Sequence, residues 1–332
     1  MRILMIKLSS LGDIIHTLPA LNVLKRAYPD AEIDWITEEL GSEFLYGHPF
    51  LKNIFLFPRY SWPKKIKKGQ ILTIIKEIVT LREQLKRNYK LIIDFQGLFK
   101  SNFIAFLAQG EKRIGFANSR ELGNLFYRNK VKVDLNLHAV LRYLMLLKFM
   151  NIPVSFKDIS FPLPTAPPFP FYIKKPYIVI NPIARWQSKM WFIEKWIDLS
   201  KALFKLGYEV VFSGRKTDRH YIECICQSIG GINLAGKTNL KQLIPLYKEA
   251  TLVISVDTGT MHLAAATGTA VIALFGPTAP WRTGPFGKEH KVIFKALPCQ
   301  PCFRRKCDSK DCMKRIEIEE IISLVKEVNY AH

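Results

Sequence analysis

The sequence predicts an α/β protein made of two parallel-sheet domains, and three observations support this. Each half of the chain alternates short apolar runs with helical patterns, as parallel sheets covered by helices require. A proline-rich stretch separates the two series. The length of 332 residues also suits two domains of about 100 to 200 residues each. We therefore expect a folded protein with one sheet in each half.

The N-terminal half contains four predicted strands. Apolar periodicity places helices between them at 14–27 and 71–88. The strands are RILMIKL (2–8), EIDWIT (32–37), NIFLF (53–57) and KLIIDF (90–95). Because helices connect them, we expect these strands to run parallel.

The C-terminal half repeats this pattern. Its predicted strands are YIVINP (177–182), YEVVFSG (208–214), LVISVD (252–257) and AVIALFG (270–276). Seven of the 19 prolines fall between Pro153 and Pro176, where a helix is excluded. The predicted organisation is an N-terminal domain over 1–160, a linker over 161–176, a C-terminal domain over 177–314 and an amphipathic helix over 315–332.

The chain is strongly basic, with 49 Lys and Arg against 28 Asp and Glu and a net charge of +21. Such a charge predicts attraction to phosphate-bearing polymers or anionic membranes. One cluster, PRYSWPKKIKK (58–68), is dense in Lys and contains Trp62. It is either a solvated basic loop or a docking patch for an anionic substrate or membrane. The sequence shows no signal peptide or membrane-spanning run, so we expect a cytoplasmic protein.

The stretch SVDTGTMHLAAATGTAVIALFGPT (255–278) predicts a diphosphate site. A buried strand ends at Asp257, Thr258 and Gly259 turn the chain, and His262 lies in the first turn of a small-residue helix. Ligands bind at the carboxyl ends of parallel strands, where helix amides attract phosphate. The alternative is that Asp257 caps the helix and His262 packs internally.

Two further segments offer charges at strand ends. In NPIARWQSKMWFIEKW (181–196), Arg185 and Lys189 follow the first C-terminal strand and suit phosphate neutralisation. In FSGRKTDRH (212–220), Asp218 follows the next strand, where a carboxylate can bind ribose hydroxyls. Exposed loop charges and helix capping are the alternatives.

The stretch KLSSLGDIIHTLPAL (7–21) places a carboxylate, Asp13, at a turn from strand to helix. Such turns usually bind phosphate, which Asp13 would repel. The pattern GxGxxG does not occur, which argues against conventional NAD enzymes. The pattern favours transfer from a nucleotide-linked donor, in which the acceptor hydroxyl needs a base and the other domain carries a carboxylate. Helix capping by Asp13 is the alternative.

Five segments together carry a family resemblance: the N-terminal 21 residues, IDWITEE, DFQGLFKSN, SRELGNLFY and SVDTGTMHLAAA. Their order and spacing resemble glycosyltransferase family 9, the ADP-heptose:lipopolysaccharide heptosyltransferases, over residues 1 to about 285. The N-terminal motifs most resemble the heptosyltransferase I branch. The resemblance implies a GT-B fold, in which two Rossmann-like domains with parallel sheets face a central cleft. It also implies inverting, metal-independent transfer without a cofactor.

The resemblance assigns roles to residues and names partners. ADP-heptose would bind the C-terminal domain, and a Kdo residue of the lipopolysaccharide inner core would bind the N-terminal domain. The implied catalytic residues are Asp13 as base and Lys189 on the donor phosphate. Donor binding is assigned to Arg185, Asp218, Asp257, Thr258, Gly259 and His262, and acceptor binding to Ser9, Ser10, Gly12, Arg59, Gln96 and Arg120.

The expected location is the anionic cytoplasmic face of the inner membrane, with no nucleic acid as partner. The alternatives are heptosyltransferase II or III, another family 9 transferase with a different acceptor, a nucleotide-sugar epimerase, or a basic nucleic-acid-binding protein. No RRM, KH or zinc-finger pattern supports the last of these.

Four cysteines near the C-terminus have the spacing C-x2-C-x4-C-x4-C: Cys299, Cys302, Cys307 and Cys312. This spacing is compatible with a structural zinc or iron–sulfur site. Disulfides, if the source is a hyperthermophile, and free thiols are the alternatives. Displacement at an anomeric carbon requires no thiolate, so none of these interpretations makes the cysteines catalytic.

Overall fold

The chain divides into two units, Met1–Thr165 and Ala166–His332. The computed structural model describes residues 1–59, 61–118, 127, 129–156 and 159–330. The boundary falls inside the proline-rich stretch, in which residues 153–156 and 159–176 contain no helix or strand.

The first unit is built on a parallel sheet with the strand order β3-β2-β1-β4-β5-β6. In the described residues its strands are β1 (Arg2–Ile6), β2 (Glu32–Thr37), β3 (Asn53–Leu56), β4 (Tyr89–Asp94), β5 (Gly110–Phe116) and β6 (Asn129–Val131). Ile3 pairs with Ile33 on one side and with Leu91 on the other. The central strands are buried except near their first residues, because helices cover both faces of such a sheet.

Helices connect these strands. They are α1 (Leu11–Ala27), α2 (Glu39–Leu45), α3 (Ser61–Lys67), α4 (Ile71–Gln84), α5 (Phe99–Leu107) and α6 (Ala139–Phe149). Helix α1 begins after its N-cap Ser10, buries most of its apolar residues and packs against α6. This packing places residues of α6 beside the start of α1.

The second unit has the strand order β12-β11-β10-β7-β8-β9. Its described strands are β7 (Tyr177–Asn181), β8 (Glu209–Phe212), β9 (Ile232–Asn233), β10 (Leu252–Val256), β11 (Val271–Phe275) and β12 (Lys291–Phe294). When the strands of each unit are numbered from its own first strand, both sheets have the order 3-2-1-4-5-6. This is the doubly wound order of dinucleotide-binding folds, with a switch point at β1/β4 and another at β7/β10.

The helices of the second unit complete its two outer layers. They are α7 (Ile193–Lys205), α8 (Arg219–Ile229), α9 (Leu243–Lys248), α10 (Gly259–Ala266), α11 (Pro280–Thr283), α12 (Asp311–Lys314) and α13 (Ile318–Tyr330). Two 3-10 turns lie at Gln187–Lys189 and Lys216–Asp218. The terminal helix α13 buries Ile321 and Val325 in the core of this unit and packs against α7.

The prediction of two parallel sheets is confirmed, and the central strands lie within a few residues of their predicted bounds. Sequence periodicity missed the outer strands β5, β6, β9 and β12. Strands β6, β9 and β12 are short edge strands, which need no apolar run. Strand β5 lies next to the edge and carries charged residues at its exposed positions, as in GEKRIGF. No helix among the described residues is long and apolar enough to cross a bilayer.

Candidate active site

The switch point of the first sheet brings the loops after β1 and β4 together. At the end of β4 the buried Asp94 accepts a hydrogen bond from the backbone of Gln96 (2.7 Å). Gln96 Oε1 in turn accepts hydrogen bonds from the backbone amides of Leu8 (3.1 Å) and Ser9 (3.2 Å). Gln96, predicted to bind the acceptor, therefore uses its oxygen to fix the turn that carries Ser9, Ser10 and Gly12.

Asp13 uses its two carboxylate oxygens differently. Oδ2 accepts hydrogen bonds from Ser10 N (3.0 Å) and Ser10 Oγ (2.9 Å), which is the capping interaction expected at the third helical position. Oδ1 lies 3.3 Å from the Tyr143 hydroxyl and 4.0 Å from Lys7 Nζ. The side chain is 36% exposed. Oδ2 is therefore used for helix capping, whereas Oδ1 lies beside Tyr143 and Lys7.

Lys7 and Tyr143 support Asp13 from the interior. Lys7 is 3% exposed and donates hydrogen bonds to Tyr143 Oη (2.8 Å) and to the carbonyl of Phe95 (3.0 Å). Burial lowers the pKa of Lys7 although the Asp13 carboxylate opposes this. Burial also raises the pKa of Tyr143 well above its ordinary value, so the phenol remains a donor toward Asp13.

Sequence reasoning missed both of these residues. A lysine that ends the apolar run RILMIKL was the available signal for Lys7, because a buried cation needs a partner. Tyr143 carries no comparable signal, since it lies far along the chain on α6.

A second polar group surrounds Glu38, which follows β2 and is 4% exposed at its side chain. Its carboxylate accepts from Arg59 Nη1 at 3.3 Å and from Lys100 Nζ at 2.5 Å. Arg59 is one of the predicted acceptor-binding residues. Glu38 lies in the segment IDWITEE and Lys100 in DFQGLFKSN, but neither was predicted to bind the acceptor. One buried carboxylate thus orients two partly exposed cations. The other predicted acceptor cation, Arg120, lies outside the described residues.

The switch point of the second sheet joins Lys189 and Asp257. Lys189 follows β7 and Asp257 follows β10, and Lys189 Nζ lies 2.6 Å from Asp257 Oδ2. Thr278, after β11, donates a hydrogen bond to the same oxygen at 2.5 Å. Lys189 also lies over the ring of Trp186, 4.6 Å from its centroid. The lysine side chain is 16% exposed and the aspartate side chain 6%, so Asp257 contacts the lysine from its buried side.

Helix α10 begins directly beside this pair. Thr258 is its N-cap, Gly259 is its first residue, and both are half-buried, while His262 is buried. The first amides of the helix have no intrahelical acceptors and, with Lys189, form a positively polarised region. The predicted donor segment thus contains both features that bind a diphosphate.

Two predicted donor residues of the described chain, Asp218 and Arg185, are not bonded to the Lys189–Asp257 pair. Asp218 accepts hydrogen bonds from Arg215 N (2.9 Å), Nε (3.0 Å) and Nη2 (3.0 Å). Burial raises the pKa of Asp218, but these hydrogen bonds outweigh it and the net pKa is lowered. Arg185 is exposed on the loop after β7. In the described residues, no hydrogen bond or ion pair joins either one to the Lys189–Asp257 pair.

The cysteine segment, residues 299–312, braces the Lys189 loop. Ser188 donates from Oγ to the carbonyl of Arg304 (2.6 Å) and from its amide to that of Arg305 (3.3 Å). The amide of Phe303 donates to the carbonyl of Pro277, next to Thr278 (2.9 Å). The segment therefore ties together the two loops that contact Asp257.

The four thiols of this segment differ in environment. Cys299 is exposed, Cys302 and Cys307 are half-buried and Cys312 is buried, and none of them forms a disulfide in the structure. Burial raises the pKa of Cys312, whereas hydrogen bonds from Lys310 and Ser309 lower that of Cys307. No cluster of three or more His, Cys, Asp or Glu placed to hold a metal occurs in the described part of the chain. A zinc or iron–sulfur site here remains a prediction.

Comparisons with known proteins identify the family. The sequence profile of glycosyltransferase family 9 (heptosyltransferase) matches residues 78–313. Lipopolysaccharide heptosyltransferase 1 of Pseudomonas aeruginosa is 30% identical over 322 residues, which cover 92% of this chain and 87% of that protein. Lipooligosaccharide heptosyltransferase 2 of Campylobacter jejuni is 27% identical over 330 residues, covering 96% and 95%.

Solved structures agree with these matches. The heptosyltransferase WaaC of E. coli with ADP aligns with a TM-score of 0.81 at 26% identity, covering 99% of this chain and 100% of that one. The same enzyme with ADP-2-deoxy-2-fluoro heptose aligns with a TM-score of 0.79, covering 98% and 99%. These matches and the two parallel sheets confirm the predicted GT-B fold. By sequence profile, by sequence identity and by structure, the chain belongs to glycosyltransferase family 9.

Proposed function

We propose that this protein is a heptosyltransferase of the lipopolysaccharide core that transfers heptose from ADP-heptose to a Kdo residue, with inversion and without a metal ion. One observation carries the proposal. Each sheet has an ion pair at its switch point, and the two pairs have opposite polarity. In the first unit Asp13 is the exposed partner and Lys7 is buried, whereas in the second unit Lys189 is the more exposed and Asp257 is buried.

This opposite polarity suits two different ligands. The accessible carboxylate of the first unit would repel a diphosphate but can accept a proton from a sugar hydroxyl. The lysine of the second unit lies beside the amides of α10 and can neutralise a departing diphosphate. We therefore assign the acceptor to the N-terminal unit and the donor to the C-terminal unit.

The transfer is a single displacement. A Kdo hydroxyl loses its proton to Asp13 Oδ1 as its oxygen forms a bond to the anomeric carbon of the heptose. The bond from that carbon to the β-phosphate oxygen breaks, and ADP leaves with the electron pair. Lys189 and the first amides of α10 stabilise the charge that develops on ADP. Attack opposite to the leaving group inverts the anomeric centre.

The group around Glu38 supplies the acceptor recognition. Arg59 and Lys100 are held by one buried carboxylate and are partly exposed, so each can donate further hydrogen bonds to an anionic ligand. Kdo carries a carboxylate, and guanidinium and ammonium groups bind carboxylates through charge-assisted hydrogen bonds. This chemistry favours an acidic sugar as the acceptor.

A transfer assay tests the proposal. The protein is incubated with ADP-heptose and Kdo-lipid A, and the linkage of the product is analysed, with and without EDTA. We expect one heptose on Kdo, with inverted configuration and an unchanged rate in EDTA. A product extended only from an existing heptose would move the assignment to heptosyltransferase II or III. Transfer only from UDP- or GDP-sugars would reject ADP-heptose as the donor.

Because the lipid A acceptor is anchored in a bilayer, we also propose that the enzyme works as a peripheral protein on the cytoplasmic face of the inner membrane. Fractionation of cells that express the protein tests this. Recovery of the protein with membranes at low salt and its release by high salt are expected.

A further inference from the structure

Helix α4 is apolar on two faces, although a surface helix normally has one apolar stripe. Its inner face contains Ile74, Ile78 and Leu81, which are half-buried or buried. Its outer face consists of four exposed residues at helical spacing. They are Ile71 (59% exposed), Leu72 (76%), Ile75 (49%) and Val79 (52%). Contiguous exposed apolar side chains of this kind indicate an interaction surface.

Helix α3 extends this surface and is fixed to α4. Glu77 of α4 accepts a hydrogen bond from Trp62 Nε1 (2.8 Å) and forms an ion pair with Lys65. Trp62 packs edge-on against Phe57, with ring centroids 5.0 Å apart, and so joins α3 to the core. Ile66 of α3 is 61% exposed. These contacts fix α3 to α4 and to the core, so the exposed apolar side chains of the two helices are held in place.

The surroundings of this apolar surface are strongly basic. Residues 59–87 contain nine Lys and Arg but two acidic residues, Glu77 and Glu83. Glu77 forms its ion pair with Lys65 of α3, and Glu83 Oε1 lies 2.6 Å from Lys86 Nζ. Four lysines are exposed, and none of the carboxylates in the described ranges lies within ion-pair distance of them: Lys64, Lys67, Lys68 and Lys76.

We propose that the outer face of α4, together with Ile66 and the lysines of α3, is a docking surface for an anionic lipid bilayer. Apolar side chains flanked by lysines are the composition of interfacial helices, which insert their apolar face below the phosphates. The lysines gain from the negative potential of such a surface. A second copy of this chain would bring two basic surfaces together, so the charge favours lipid over self-association.

The test is flotation of the purified full chain with vesicles that contain neither donor nor acceptor. This readout does not depend on the proposed transfer. We expect binding to phosphatidylglycerol vesicles at low salt, weak binding to phosphatidylcholine vesicles, and release by salt. Leu72→Glu with Ile75→Glu should weaken binding at least about tenfold. Lys64→Ala with Lys67→Ala and Lys68→Ala should reduce binding and its salt dependence.

Matched controls separate docking from misfolding. Leu206→Glu with Val292→Glu introduces the same two charges at residues that are 41% and 40% exposed in the second unit, and this variant should bind vesicles like the wild type. The milder pair Leu72→Ala and Ile75→Ala should fold normally and still bind less. Transfer to a water-soluble Kdo acceptor should be unchanged in the variants of Leu72, of Ile75 and of the second unit, because none of these residues lies in the candidate site.

Insertion itself has a direct readout. Leu72→Trp adds a fluorophore at the most exposed apolar position of α4, and lipids brominated on their acyl chains should quench it beyond the wild-type signal. Absence of this quenching would overturn insertion. The proposal is also overturned if the wild-type protein does not bind anionic vesicles. It is likewise overturned if the glutamate variants bind vesicles normally but sediment as monomers where the wild type sediments as an oligomer.

Discussion

Lys7 and Asp13 face each other across the turn that follows β1, with Lys7 Nζ 4.0 Å from Asp13 Oδ1 and the Tyr143 hydroxyl in contact with both. The lysine is buried and the aspartate is partly exposed. The ammonium group lies on the buried side of the carboxylate, and 36% of the Asp13 side chain is exposed. Helix capping alone would not require Lys7 and Tyr143 to contact Asp13.

Replacement of Asp13 tests its assignment as the base. Asp13→Asn keeps an oxygen that can accept from Ser10, so the helix cap and the fold should persist. Without the base, kcat should fall by about 10²- to 10⁴-fold, while ADP-heptose affinity, measured by calorimetry, stays near the wild-type value. Ser10→Ala removes one capping bond only and should retain most activity. A near-normal rate for Asp13→Asn would reject Asp13 as the base.

The pH dependence of transfer tests the supporting group. The Asp13 carboxylate raises the pKa of Lys7 against the effect of burial, and this attraction is reciprocal. Without the ammonium group, Asp13 binds a proton more readily, so the acid limb of kcat/KM should move to higher pH in Lys7→Met. Tyr143→Phe should shift the limb in the same direction by less. A lower rate with an unmoved profile would assign Lys7 a purely structural role.

The ion pair of the second unit leads to a prediction about donor binding. Lys189→Met should raise the KM for ADP-heptose about tenfold or more, because a charge-assisted contact to phosphate is lost. Asp257→Asn should act through the lysine, which it holds at 2.6 Å. The double variant should therefore cost much less than the sum of the two single effects. Gln187→Ala, at an exposed residue on the same loop, is the control. Additive effects would show that Asp257 contacts the donor independently.

The central strands could be predicted from the sequence because they rest on local periodicity, and the charged residues at their ends because they lie next to a predicted strand. Asp13, Lys189 and Asp257 each follow a central strand, so their placement follows from topology. The partners of these residues could not be predicted in the same way. Tyr143 reaches Lys7 across 136 positions and Lys100 reaches Glu38 across 62, and packing of helices sets such contacts. Asp218 also has a partner that its position did not indicate, since Arg215 donates to both of its carboxylate oxygens. Ribose binding by Asp218 stays a prediction.

Glu38 provides the last prediction, on the acceptor side. Glu38→Gln keeps the shape of the side chain but removes the charge that orients Arg59 and Lys100. Loss of one such interaction is worth about 1 kcal/mol, or roughly fivefold, so the KM for the Kdo acceptor should rise by at least this factor while the KM for ADP-heptose stays constant. Glu39→Gln removes the same charge from the neighbouring exposed residue and should leave both constants unchanged. If Glu38→Gln lowered thermal stability without changing the acceptor KM, the carboxylate would serve the fold alone, and acceptor binding would have to rest on other cations.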